Sequence, residues 1–137
     1  METHSEIREL ATAKCIIRYD PSRHLMFFSF LPETMHELHD AMNALKLARK
    51  LVPQGKVPLL LDSTGIKGYT SEVRTFFADE EATSLIQCMA VVVNTLSIKL
   101  AGNFFIYVTK PSYPTKLFST EKAGVDWLMA YSASHLS

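Results

Sequence analysis

Two short runs of uninterrupted apolar residues constrain this chain more than any other feature. Residues 56–62 read Lys-Val-Pro-Leu-Leu-Leu-Asp, and residues 88–93 read Cys-Met-Ala-Val-Val-Val. Both have strand length, and neither shows the alternation of a strand with one wet face. A strand buried on both faces belongs to a parallel sheet with helices packed on it. Pro58 has no N–H to give a ladder, so it belongs near the start of its strand. Cys88 opens the second run and reads as a small buried hydrophobe, chemically inert.

The remaining elements follow from period and punctuation. Residues 14–20 alternate, with Cys15, Ile17 and Tyr19 on one side, and residues 24–30 are rich in aromatics. Between them lies Asp20-Pro21-Ser22-Arg23, a type I turn signature that makes the pair a β-hairpin. Thr34-Met35-His36-Glu37 has the form of a capping box. Behind it Met35, Leu38, Met42, Leu45, Ala48 and Val52 recur at three and four, predicting a helix over 34–52 that Pro53 and Gly55 end.

A helix is predicted from near Thr70, with Val73, Phe76 and Phe77 inward. A short second one follows Asp79-Glu80-Glu81, whose charge suits a helix N-terminus, and runs to about 86. Leu96, Leu100, Phe104 and Val108 form one stripe of a helix over 96–108. Residues 115–118 make a last strand, and a helix from about 120 carries Ala123, Trp127, Leu128 and Tyr131. The order is ββαβααβαβα, an α/β fold with a mixed sheet in one domain, 1–137.

Composition narrows the function. The chain has 137 residues, with 14 Lys and Arg balancing 14 Asp and Glu. A nucleic-acid binder needs an excess of cations to neutralise phosphates, so none is expected here. No stretch approaches the length of a membrane helix. Residues 1–10 carry Glu2, Glu6 and Glu9 without an apolar core, unlike a secretory signal, and the default location is the cytoplasm. Cys15 and Cys88 are far apart, which implies neither a disulfide framework nor a zinc site.

Several groups are candidates for chemistry. His36, His39 and Asp40 fall on the opening turns of the first helix. They read as a solvated face, since a metal would need a third firm ligand. Asp62-Ser63-Thr64-Gly65 follows a strand at the edge where open α/β sheets gather ligands. A carboxylate beside two hydroxyls can orient a ligand or a phosphate, whereas Asp, Ser and Gly also make an ordinary turn. Nucleophilic catalysis through Ser63 would need a base that the sequence does not supply. Gly65-Ile66-Lys67-Gly68-Tyr69-Thr70-Ser71 lacks the phosphate-loop spacing, but an anion on the following helix stays open. Phe104, Phe105, Tyr107 and Tyr113 are candidates for a partner surface, with ordinary core packing as the alternative.

The chain also resembles a known group. Val57-Pro58-Leu59-Leu60-Leu61-Asp62, Gly65-Ile66-Lys67-Gly68 and Ala90-Val91-Val92-Val93 carry the likeness. So does Pro111 through Ala123 with Trp127-Leu128. They are similar to small bacterial proteins of the SpoIIAA-like, or STAS (and STAS/SEC14-type), superfamily, over roughly residues 10–131. Anti-anti-sigma members carry Asp-Ser-Ser-Gly, whose first serine a partner kinase phosphorylates. Asp62-Ser63-Thr64-Gly65 looks like that motif but stands too close to the strand. In the family's position stand Thr70 for the Asp and Ser71 for the phosphoacceptor, and the Gly is absent.

The resemblance implies a non-enzymatic regulatory or binding module without a cofactor. It would engage a protein partner, a second copy, or a small anionic or apolar ligand. The alternative it implies is a carrier of lipid or another apolar molecule.

Overall fold

The computed structural model describes residues 6–135. The chain runs β1 (Arg8–Ala11), β2 (Cys15–Asp20), β3 (Leu25–Phe30), β4 (Met35–His36), α1 (Leu38–Leu51), β5 (Val57–Asp62), β6 (Gly68–Tyr69) and α2 (Ser71–Phe77). It continues through α3 (Glu80–Leu85), β7 (Ile86–Val92), α4 (Leu96–Phe104), a π-helical turn (Phe105–Thr109), β8 (Thr115–Phe118) and α5 (Glu121–Ser134). The strand β1 and the two-residue strands β4 and β6 add to the expected order. The reading of residues 1–5 lies outside the described residues.

Six strands form one sheet in the order β1-β2-β3-β5-β7-β8. The first three pair antiparallel, and β3, β5, β7 and β8 are parallel. The register shifts between Val57 and Leu59, where Pro58 has no N–H for the ladder.

This monotone order dictates the layers. Every crossover from β3 onward adds a strand on the same side, so right-handed connections put their helices on the same face. The large core cluster accordingly joins residues of α1 to α4 to Ile17, Phe28, Leu59 and Met89. Helix α5 follows the last strand, is not a crossover, and covers the opposite face. There Leu128 meets Leu60, Cys88, Ala90 and Val92. Phe27 on that face is roofed by the Arg18 and Arg23 guanidiniums, 4.8 and 5.6 Å from its ring centroid.

Gly124 sets how closely α5 approaches. A Cβ there would stand 3.1 Å from Leu60 Cδ1 and 3.3 Å from Ala90 Cβ. Ala90 is fixed by its strand and cannot yield. A Gly124→Ala chain gains about 1 kcal/mol of helix propensity and loses about 2 kcal/mol to overpacking. A net loss of about 1 kcal/mol is expected in urea unfolding.

Helix α1 begins later than the spacing suggested. Its N-cap is Glu37, whose N–H donates to Asp40 Oδ2 at 2.9 Å. Thr34 does not cap it, because the Thr34 hydroxyl donates to the Leu31 carbonyl at 2.7 Å. Met35 and His36 instead pair with Gly68 and Tyr69. The buried face is Ala41, Ala44, Leu45, Ala48 and Leu51, and Met35 and Met42 are exposed.

Helix α4 also turns the other way from a core stripe. It buries Ile98, Gly102 and the following Phe105. A Cβ at Gly102 would lie 2.9 Å from Leu117 Cδ2. Only this face lets the helix seat against β8.

Both cysteines are buried, and burial pushes each thiol up to about 12. Neither is a thiolate near neutral pH.

Candidate functional site

The carboxyl ends of β3, β5 and β7 open beneath a two-stranded ribbon formed by β4 and β6. This ribbon zips the loop after β3 to the loop after β5. Glu33 N–H donates to the Gly65 carbonyl at 2.8 Å, Lys67 N–H to Thr34 at 2.8 Å, and Thr70 N–H to His36 at 3.1 Å. The ribbon, α1, α2 and α4 line a cavity of about 50 Å³. Its walls are mostly apolar, including Phe30, Leu61, Val73 and Phe105, with a few polar groups among them.

Asp62, Ser63 and Thr64 make a turn. Asp62 Oδ1 accepts from the Thr64 N–H at 3.0 Å and from its hydroxyl at 2.7 Å. Gly65 follows with φ +84°. Ser63 is buried and donates its hydroxyl to the Val92 carbonyl at 2.7 Å. No His, Lys or carboxylate among the described residues is hydrogen-bonded to that hydroxyl. Ser63 ties the turn to β7, and its hydroxyl is not a free nucleophile in this arrangement.

Thr70 is the N-cap residue of α2, yet its hydroxyl makes no capping bond. Thr70 Oγ1 is buried without a partner. Ser71 is the first helical residue and is exposed. The structure thus places the position implied by the superfamily at a helix start, on a helix of seven residues.

The four aromatic surface candidates divide in two. Phe105 and Tyr113 are core residues. Phe105 faces inward with Ile98, and the Tyr113 hydroxyl donates to the buried Phe77 carbonyl at 2.7 Å. Phe104 and Tyr107 are exposed, and Leu96, Leu100 and Val108 join them at 45–71% exposure. The spacing of 96, 100, 104 and 107/108 makes one continuous outer stripe. The π-helical turn leaves both Tyr107 and Val108 on it.

His36 departs furthest from its expected place. It is 3% exposed rather than solvated, and it lines the cavity. Its ring packs on Phe30 at a centroid distance of 4.1 Å. Thr34 Oγ1 lies 3.1 Å from His36 Nε2. The Thr34 proton goes to Leu31, so Nε2–H is the donor in this contact and Nδ1 is a bare acceptor. Burial holds the imidazole below its ordinary pKa; nearby Asp40 opposes this and Lys14 adds to it. His36 is therefore neutral near pH 7. His39 lies exposed on α1, 3.3 Å from Asp40 Oδ1. No cluster of metal-ligating side chains forms among the described residues.

Tyr69, Arg74 and Thr115 complete the polar part of the lining. The Arg74 guanidinium carbon sits 6.0 Å from the Tyr69 ring centroid and 4.7 Å from that of Phe104. No carboxylate among the described residues is within ion-pair distance of Arg74. Burial raises the Tyr69 phenol, with Arg74 opposing, so the phenol keeps its proton. Local spacing could not have found His36, Tyr69 and Arg74 together, because the pairing of two distant loops assembles them.

This architecture is the SpoIIAA-like fold. A crystal structure of an uncharacterized protein from the DUF3478 family, with a SpoIIAA-like fold, from Shewanella loihica PV-4 is similar with a TM-score of 0.56. The similarity covers 90% of this chain and 92% of that one, at 11% identity, and so concerns the fold. The model of a domain of unknown function, DUF7793, matches residues 20–132, and the chain belongs to that family. No curated protein matches it. No helix among the described residues is long and apolar enough to cross a membrane.

Proposed function

We propose that this chain is a non-enzymatic regulatory module of the cytoplasm that docks a protein partner through α4. The observation that carries the reading is the outer stripe of Leu96, Leu100, Phe104, Tyr107 and Val108. Single exposed apolar residues are ordinary, but five in one helical row form a contiguous patch of the kind that marks an interaction surface. Tyr and Phe are also frequent anchors at interfaces.

Charge defines the partner. Residues 82–120 contain no Asp or Glu, while Lys99 and Lys110 are exposed. Arg74 adds a cation beside Phe104. An apolar ridge edged by cations complements an apolar groove with an acidic rim. A second copy would bring lysine against lysine. The carrier alternative has little support, since a cavity of about 150 Å³ holds a single benzene and this one is about 50 Å³.

A photo-crosslinking residue at position 107, with one at Lys122 on α5 as control, tests the reading in cells. A single identified protein with an acidic groove is expected at position 107 only. Lys99→Glu combined with Lys110→Glu should abolish the adduct, with the melting temperature unchanged. An adduct of two copies of this chain, attachment to lipid alone, or equal labelling at both positions would overturn it.

A further inference from the structure

We infer that the ribbon is a pH-operated latch: a proton on His36 parts β6 from β4 and opens the cavity to water, while the six-stranded sheet stays folded. The inference is independent of the partner surface on α4. The His36 side chain is buried, and its one hydrogen bond among the described residues runs from Nε2–H to Thr34 Oγ1. A proton on the bare Nδ1 would create an unpartnered N–H and a charge among apolar walls. A protein tolerates such a buried charge only when it is paired. The groups that face the ring do not pair it. No carboxylate lines the cavity; Arg74 of α2 brings a second cation, and Tyr69 of β6, Ser63 and Thr115 are neutral. Asp40 of α1 and Lys14 before β2 act on the ring with opposite signs. Asp40 Oδ2 already accepts from Lys14 Nζ and from the Glu37 N–H, each at 2.9 Å. Burial alone would raise the Asp40 pKa, but those bonds hold it low, so its charge does not change near neutrality. Glu37 and His39 are exposed.

The imidazolium therefore needs water, and the ribbon is the part of the enclosure that can yield. Strand β4 is tied down: Lys14 Nζ donates to the Met35 carbonyl at 2.8 Å, and α1 is capped at Glu37, directly behind His36. Strand β6 has only two residues and lies on the loop between β5 and α2, with Gly65 at φ +84° as its pivot. Beyond its pairing with β4, the bonds across to that side are those of Glu33, Lys67 and Thr70 N–H. An element held by so few bonds opens locally at far lower free energy than the sheet beneath it. Linkage sets the size of the response. Once open, His36 takes its proton at the ordinary value of about 6.5. Closed, it stays neutral. Acid therefore favours the open form, and opening should be about tenfold more frequent at pH 5.5 than at pH 7.5. Raising the pH closes the latch again.

Amide hydrogen exchange of the full chain, followed by NMR at pH 7.5, 6.5 and 5.5, tests the inference. Each rate is divided by that of an unstructured peptide at the same pH. The Lys67 and Thr70 amides report the ribbon; the Ser63 and Val93 amides, bonded to Val92 and Phe118 across the sheet, report the fold. Between pH 7.5 and 5.5 the first pair should lose protection about tenfold, and the second pair should hold. His36→Phe keeps a ring on Phe30 and takes no proton, so its ribbon amides should show no such change. If that variant folds poorly, the imidazole nitrogen shifts of His36 in the native chain decide, since its protonation should track the loss of protection. Ribbon amides that keep their protection at pH 5.5 overturn the inference. So does equal loss at Ser63 and Val93, which would be unfolding of the whole domain. Protonation of His36 with the ribbon still closed, or a pH response that survives in a folded His36→Phe chain, overturns it equally.

Discussion

Replacing Phe28 with alanine is expected to cost about 3–5 kcal/mol of folding stability. Phe28 is fully buried at the centre of β3, opposite Ile17 of β2 and Leu61 of β5. It lies in the large cluster beneath the first four helices. Truncation removes the transfer energy of a ring and leaves a void that three paired strands cannot close. Domains of this size are stable by only about 5–15 kcal/mol, so the variant should be partly unfolded at modest urea. Phe28→Leu retains most of the volume and should lose far less. Chemical denaturation followed by far-ultraviolet circular dichroism checks both. Equal midpoints for the alanine variant and the native chain would show that this contact does not organise the core.

Asp20→Ala is expected to cost about 2–3 kcal/mol at neutral pH. Asp20 closes the hairpin and is buried. Its Oδ1 accepts from the Ser22 N–H at 3.0 Å and the Ser22 hydroxyl at 2.6 Å, and its Oδ2 accepts from Arg23 Nε at 2.7 Å. Burial alone would raise its pKa; the bonds from Ser22 and Arg23 outweigh it and hold the group below the ordinary carboxylate value. The unfolded chain then binds this proton at higher pH than the native one. The stabilisation is complete above about pH 4 and is lost as pH falls from there through the lowered native value. The Asp20→Ala chain should therefore show a shallower fall of stability in that window. His36 acts at higher pH. It is buried and neutral, so its contribution is present at neutral pH and erodes as pH falls below about 6.5. Urea midpoints of the two chains from pH 7 to pH 2.5 separate the two effects.

The elements that the sequence made legible are those with strong local signals. The doubly apolar runs became the central strands β5 and β7, and Asp20-Pro21-Ser22-Arg23 became the hairpin turn. The acidic start of α3 and the last strand also lie where the residues indicated. What escaped was set by contacts distant in sequence. Thr34 has the local chemistry of a helix cap, but the Leu31 carbonyl takes its proton and Gly68 and Tyr69 draw the next two residues into a ribbon. The same pairing buries His36, which no helical period foretells. Helix α4 carries two apolar stripes, and sequence alone does not rank them. Gly102 against Leu117 decides which one goes inward. The turn at Asp62 to Gly65 was legible in the sequence, and the bond from Ser63 to Val92 adds a tie to β7 that local spacing does not show.

The placement of α5 has a consequence for synthesis. The face of the sheet holding Leu60, Cys88, Ala90 and Val92 is covered by the element made after all the others. While α1 to α4 can close their side as they leave the ribosome, this face stays bare until about residue 134 has emerged. A nascent chain therefore presents an unroofed strip of β-structure, the kind of surface that sticks to other chains. Folding of this domain is gated by translation of its final helix, and a ribosome stalled between β8 and α5 should hold a half-dressed sheet that recruits chaperones.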